Sequence, residues 1–458
     1  MTVEEQVSRG RVAVASFVGT AIEFYDFYMY GTAAALVFGK VFFPSFSSTA
    51  GTLASFATFG VGFIARPIGA ILLGHFGDRV GRKKTLVASL LMMGLATFAV
   101  GLIPSYASIG VASPLLLVVA RLIQGLGLGG EWGGAVLLAT EYAPKGKRGL
   151  YSAFPQIGPA VGFILSSGLF LVLGETLSAG SFQSWGWRVP FLISAVLVAI
   201  GFFIRMRIAE TPVFRAAQER AAAEREERGK VPFLELLRRQ PKVLALATLA
   251  FILAHTVFYT VTTYALSYGT SVLGLNKNMM LIGTILAAAV MGAATPYFAV
   301  RSDRIGRRKV CLGATLAAAV WAFPMFWLLN TRQTALVIVA LCVGLLCFAF
   351  LYGPMGAYLP ELFATRYRFS GASFAYSASG IVGGGVSPLL ATKWQSMTGS
   401  SWPTSLWMMG IALVAFGCVA LLRETKDDSF GPGEVGAETA DGAEARAAGA
   451  AGAAGASA

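Results

Sequence analysis

Apolar residues run along this chain in long, nearly continuous blocks rather than in the alternating or one-faced patterns of a water-soluble core. A helix needs roughly 20 apolar residues to cross the hydrocarbon layer. Twelve blocks meet that length, at 12–38, 52–76, 85–103, 113–140, 150–173, 188–208, 243–271, 278–300, 310–329, 334–360, 368–391 and 403–422. Glycines and polar residues blur the ends of the second, fourth and eleventh. The pattern predicts an all-α polytopic membrane protein with 12 transmembrane helices. The first block, entered through "MTVEEQVSRGRVAVASFVGT", is too long for the core of a cleavable signal peptide, so the first helix is expected to be retained.

Composition strengthens this reading: 56% of residues are hydrophobic, 13% are charged, and mean hydropathy is +0.67. A lipid-facing surface lifts the usual demand for a charged face on every helix. The net charge of +13 alone would suit a nucleic-acid binder, but the basic residues are dispersed in short segments between the blocks, so no nucleic acid is expected as a partner. Instead the loops at 77–84, 141–149, 301–309 and 361–368 are rich in Lys and Arg. The other side carries little more than Lys40, Arg188, Lys277, Arg332 and Lys393. Positive charge is retained on the cytoplasmic side during insertion, so both termini are predicted to be cytoplasmic in a multi-pass protein of the cell (inner or plasma) membrane. Cys311, Cys342, Cys347 and Cys418 lie in apolar blocks without metal spacing and read as packing residues.

The most hydrophilic interruption, containing "RAAQERAAAEREERGK", separates six blocks from six. It divides the chain into a first bundle (1–208), a linker on the cytoplasmic side (209–242), a second bundle (243–425) and a tail (426–458) expected to be disordered. An internal repeat supports the division. "GHFGDRVGRKK" and "AVRSDRIGRRK" align Asp78 with Asp303 and Arg82 with Arg307, and "EYAPKGKRG" and "ELFATRYRF" each place a glutamate, Glu141 or Glu361, before a basic turn.

With "EFYDFYMYG", "FATFGVGFIARPIG", "RLIQGLGLGGEWGGA", "SWGWRVPF" and "AETPVF", these loops make the chain resemble a major facilitator superfamily transporter, within it the metabolite:proton symporter group of shikimate, 2-oxoglutarate, citrate and proline/betaine carriers. The second loop copy departs from the family signature by replacing its first glycine with Ala299. The resemblance covers about residues 12–425. It implies two six-helix bundles around a central cavity lined by helices one, four, seven and ten, with helices two, five, eight and eleven meeting between the bundles. It also implies a latch at the loops, involving Asp78, Arg82, Asp303 and Arg307 with Glu141 and Arg148, although setting topology alone would account for those charges.

Ionisable residues inside a membrane are costly unless they face water or a partner, which makes them the first candidates for function. Glu23 and Asp26 share a face of helix one and suit a proton carrier or a structural pair for an arginine. Arg66 and Arg121 can hold a carboxylate in two-pronged geometry, or neutralise Glu23, Asp26 or Glu131. Glu131, about 15 Å along the helix from Arg121, is a second coupling candidate or an interhelical hydrogen bond. His255 can exchange protons near neutrality or simply pack. Tyr259, Thr262 and Tyr264 can meet substrate hydroxyls or pack helices. The expected partners are the lipid bilayer and a small anionic or zwitterionic molecule, with the proton as coupling ion, no other cofactor, and a monomeric protein.

The function expected is proton-coupled uptake of a small organic acid by alternating access. The alternatives are a zwitterion symporter, a drug exporter, a non-transporting receptor or a membrane enzyme. The enzyme lacks any Ser/His/Asp set, metal cluster or cofactor loop. The G-x-G-x-x-G spacing of Gly125, Gly127 and Gly130 lies inside an apolar block, not in the strand–turn–helix setting of a dinucleotide site, and reads as close helix packing.

Overall fold

The computed structural model describes residues 3–80, 82–129, 131–141, 143–144, 146–208, 232–365 and 367–428. Each of the twelve predicted blocks is helical. They are α1 (Val3–Ala33, continued by a π-helical turn Ala34–Phe38 and by Gly39–Phe42), α2 (Ser48–Val80), α3 (Arg82–Leu102), α4 (Ala112–Leu128, resumed as Glu131–Glu141), α5 (Arg148–Thr176) and α6 (Val189–Ile208). The second half has α7 (Pro241–Tyr259, extended through two π-helical turns to Val272), α8 (Lys277–Ile305), α9 (Arg307–Asn330), α10 (Thr334–Glu361), α11 (Arg368–Gly380, π-helical Ile381–Val386, Ser387–Thr398) and α12 (Trp402–Leu421).

Several helices run past the apolar blocks that predict them. α2 continues to Val80 and α8 to Ile305, because backbone hydrogen bonding persists into water where hydropathy no longer reports it. α8 stops at Gly306, whose φ of +106° lies in a region that only glycine adopts without strain. α4 is described on either side of residue 130, and 112–137 forms one apolar span long enough to cross a membrane, as expected.

The two halves repeat one packing scheme. α1 lies on α5, α2 on α4, and α3 on α4 and α6; correspondingly α7 lies on α11, α8 on α10, and α9 on α10 and α12. Between the halves, α5 packs on α8 and α2 on α11. Small residues bring backbones together at these seams. A side chain at Gly125 would run into the Gly62 carbonyl, and one at Gly129 into the Arg66 carbonyl, so the glycine run of α4 sits directly on α2.

In the segment expected as a linker, residues 209–231 lie outside the described residues. A short helix, Pro232–Arg239, follows them, burying Leu236 and setting Phe233 against Phe374 of α11. Of the expected tail, residues 429–458 lie outside the described residues, while 422–428 turn back along the end of α9 and α10.

Candidate functional site

At mid-depth the halves meet through aromatic rings. Tyr28 of α1 lies 4.8 Å from Phe258 of α7, and Tyr259 contacts Phe27, Tyr28, Phe59 and Phe63. A small cavity between them is lined by residues of α1, α7, α10 and α11, including Tyr28, His255, Tyr259, Tyr352 and Tyr376. It has room for roughly one water, so anything larger requires the rings to part. α4 takes part from behind: Trp132 stacks on Tyr376 at 4.0 Å, and its Nε1 donates to the Tyr352 hydroxyl. His255 Nδ1 meets the Ser379 hydroxyl at 3.2 Å, while its Nε2 has no hydrogen-bond partner.

Beside this cavity, inside the first half, lie the deep charges. Asp26 is 0% exposed and points toward α3 and α6, next to Thr97, Ser194 and Glu23. Neither of its carboxyl oxygens accepts a hydrogen bond. The two hydroxyls beside it, Thr97 and Ser194, can turn to the carboxyl, and they also contact the Met93 carbonyl at 2.9 Å and the Gly94 carbonyl at 3.4 Å. Gln124 spans the gap to Arg121. Its Nε2 donates to Thr97 Oγ1 (2.8 Å) and to the Asp26 carbonyl (3.2 Å), and its Oε1 accepts from Arg121 Nη1.

Arg121 lies over the rings of Phe27, Tyr30 and Phe59, at 4.2, 4.3 and 4.8 Å. Arg66 sits 5.0 Å from the same Phe27 ring and 5.4 Å from Tyr376. Both guanidinium groups are buried, and neither makes an ion pair with a described carboxylate. Aromatic faces and carbonyls take the place of a counter-ion. Nε and Nη1 of Arg66 and Nη2 of Arg121 are left without an acceptor.

A second charged cluster closes the end that carries the basic loops. Asp303, at the end of α8, accepts from the Gly149 and Leu150 amides at 2.9 and 3.0 Å, so its carboxylate caps the positive end of α5 in the other half. Arg307 pairs with Asp303 at 2.7 Å and with Glu361 at 3.2 Å, and Arg148 reaches Glu361 at 3.5 Å. Residues after α12 complete it. Thr425 donates to Glu361, Glu424 caps the first amides of α9 at Arg307 and Arg308, and the Asp428 carbonyl accepts from Arg148. At the opposite end Asn278 donates to Glu175 at 2.5 Å, and the Lys277 ammonium lies 3.8 Å from the Phe182 ring centre. The halves are therefore bridged at both ends.

Of the residues singled out by sequence, Glu23, Asp26, Arg66, Arg121, Glu131, His255 and Tyr259 are all buried in the transmembrane region. Only His255 and Tyr259 line the cavity. Glu131 begins the second segment of α4, next to Trp132. Thr262 donates to its own helix at the Phe258 carbonyl, and Tyr264 stacks on Tyr268, away from the cavity. Arg148, Asp303 and Arg307 converge, whereas the side chains of Asp78, Arg82 and Glu141 lie outside those described. Sequence reasoning missed Gln124, Thr97, Ser194 and the 422–428 segment. For Gln124 the available signal was an uncharged amide one helical turn from a buried arginine.

Residues 16–388 match the family model of the Major Facilitator Superfamily. The inner membrane metabolite transport protein YhjE of Escherichia coli (strain K12) is 45% identical over 92% of this chain and 96% of its own length. The shikimate transporter of the same organism is 37% identical over 91% and 95%, and its proline/betaine transporter 32% over 91% and 84%. Among solved structures, the xylose transporter XylE from E. coli in a partially occluded inward-open conformation superimposes with a TM-score of 0.73 at 18% identity, over 93% of this chain and all (100%) of that one. Twelve helices in two repeated halves, a closed central cavity between them and these relatives lead to one assignment: the chain belongs to the major facilitator superfamily, among its metabolite transporters.

Proposed function

We propose that this protein is a proton-coupled symporter that takes up a small organic acid by alternating access. Asp26 carries the proton, and the aromatic-lined cavity with Arg66 and His255 beside it receives the substrate. The carrying observation is Asp26 itself: a fully enclosed carboxyl beside two hydroxyls and without an ion pair among the described residues favours the neutral acid, and an ionised carboxylate there would call for a cationic partner. Unsatisfied Arg66 nitrogens next to Tyr376 favour a carboxylate-bearing substrate, because an anion bonds a guanidinium more strongly than a neutral acceptor does. The Asp303–Arg307–Glu361–Arg148 cluster, together with Asp78, Arg82 and Glu141 in the first-half copy, acts as the latch on the cytoplasmic side, with both termini on that side. The transporting unit is the single chain, divided into bundles at 1–208 and 243–425.

A zwitterion such as proline or betaine is the second reading. Tyr and Phe faces around the cavity suit a quaternary ammonium, and a proline/betaine transporter is among the relatives.

The test is uptake into vesicles of purified protein, using labelled shikimate, 2-oxoglutarate, citrate, proline and betaine under an imposed pH gradient. Accumulation of one of the acids that collapses when the gradient is removed supports the proposal. Accumulation of betaine or proline alone selects the second reading. Equal uptake with and without the gradient, at zero membrane potential, overturns proton coupling.

A further inference from the structure

Among the side chains lining the cavity, His255 is 5% exposed and carries a buried nitrogen, Nε2, with no hydrogen-bond partner. We propose that this nitrogen accepts a hydrogen bond from a hydroxyl of the transported acid, so that His255 selects hydroxylated acids and carries no proton. The inference rests on the cavity beside Arg66 being the site of an organic acid.

Hydrogen bonds on the other side of the ring set the chemistry of Nε2. Nδ1 lies 3.4 Å from the Phe251 carbonyl and 3.2 Å from the Ser379 hydroxyl. A carbonyl can only accept. The Ser379 hydroxyl directs its own proton to the Tyr376 carbonyl at 2.8 Å, which leaves its oxygen to accept as well. Two acceptors therefore face Nδ1, and Nδ1 carries the hydrogen. In a neutral ring of that form, Nε2 presents a lone pair. A doubly protonated ring would add a cation near Arg66, in a cavity whose lining holds no carboxylate.

The ring is also held in place. α11 comes so close at Gly383 that an added Cβ would strike the His255 Cβ and the Ile252 carbonyl, which fixes α7 against the backbone of α11. His255 and Arg66 adjoin the same ring, with the imidazole centre 4.8 Å and the guanidinium carbon 5.4 Å from the centre of Tyr376. Arg66 keeps Nε and Nη1 for an anion. An acid whose carboxylate meets Arg66 can thus direct a hydroxyl at Nε2. A methylene at the hydroxyl's place leaves Nε2 buried and unsatisfied, and a keto oxygen sets one lone pair against another. Betaine has neither an O–H nor an N–H to offer.

The test is a calorimetric binding titration of the full chain in lipid nanodiscs with matched acids: shikimate against cyclohex-1-enecarboxylate, 2-hydroxyglutarate against 2-oxoglutarate, and citrate against tricarballylate. The wild type should bind the hydroxylated member of at least one pair about tenfold more tightly than its partner. His255→Phe keeps a ring but removes both nitrogens. It should weaken the hydroxylated member about tenfold, leave its partner unchanged, and still accumulate that acid in vesicles under a pH gradient. His255→Gln restores an acceptor oxygen and should retain part of the preference, which keeps the proposal testable where His255→Phe fails to fold. No pair favouring its hydroxylated member, an equal weakening of both members by either variant, or loss of gradient-driven accumulation in folded His255→Phe overturns the inference and leaves the acid-carrier reading standing. Binding of none of the acids, or of proline or betaine alone, refutes that reading and this inference with it.

Discussion

Asp26, Arg66 and Arg121 stand out in the sequence because a charge inside an apolar block is conspicuous. Their partners do not, since a glutamine or threonine in a membrane helix commonly bonds its own backbone, and only the third dimension shows that Gln124 joins Thr97 to Arg121. Sequence reasoning also offered Glu23, Asp26 or Glu131 as counter-ions for the arginines; around Arg121 the structure shows the rings of Phe27, Tyr30 and Phe59 and the Phe59 carbonyl. At this scale the decisive substitution is Asp26→Asn. One pH unit of gradient supplies about 1.4 kcal/mol, or roughly tenfold accumulation for one proton per substrate. The variant should accumulate no substrate against its gradient yet still exchange labelled for unlabelled substrate at equal pH. Transport assays in vesicles separate the two, and retained accumulation would remove Asp26 from coupling.

The helices were legible because a membrane span is signalled by length and hydropathy, and each of the twelve predicted blocks is helical over most of its described length. Their interruptions were less so. The π-helical turns in α1, α7 and α11 depend on how neighbouring helices press together, which a hydropathy window does not register. Close helix packing was expected from the glycines of "RLIQGLGLGGEWGG", and the structure supplies the partner, α2, with Gly125 against the Gly62 carbonyl. Gly125→Leu should destabilise the purified protein by about 1–3 kcal/mol or more through overpacking. Thermal unfolding in detergent reads this directly, and an unchanged midpoint would mean that the two helices can separate freely.

For the molecule as a whole, two repeated halves are bridged at both ends. The repeated "DRxGR" loops suggested a latch, and the second copy takes part in a charged contact between α5 and α8. What the sequence concealed is that this cluster is shared with residues beyond α12. Removing one partner of a buried ion pair costs about 3–5 kcal/mol. Glu361→Gln, which leaves Arg307 and Arg148 facing a neutral amide, should therefore shift the population toward opening at the basic-loop end. Spin labels at exposed positions flanking Leu150 and Asp303 should report a longer distance in the variant, and an unchanged distribution would mean that the cluster serves topology rather than gating.

The segment 422–428 has a consequence for anyone who alters the chain. Its residues cap α9, hold Glu361 and reach Arg148 in the other half, so the last helix is followed by a part of the charged cluster proposed as the latch. A reporter fused directly after Leu421 would replace that part with foreign sequence and produce a carrier biased toward one access state, whose measured rates would describe the fusion. Placing the junction beyond Asp428 keeps the clasp intact.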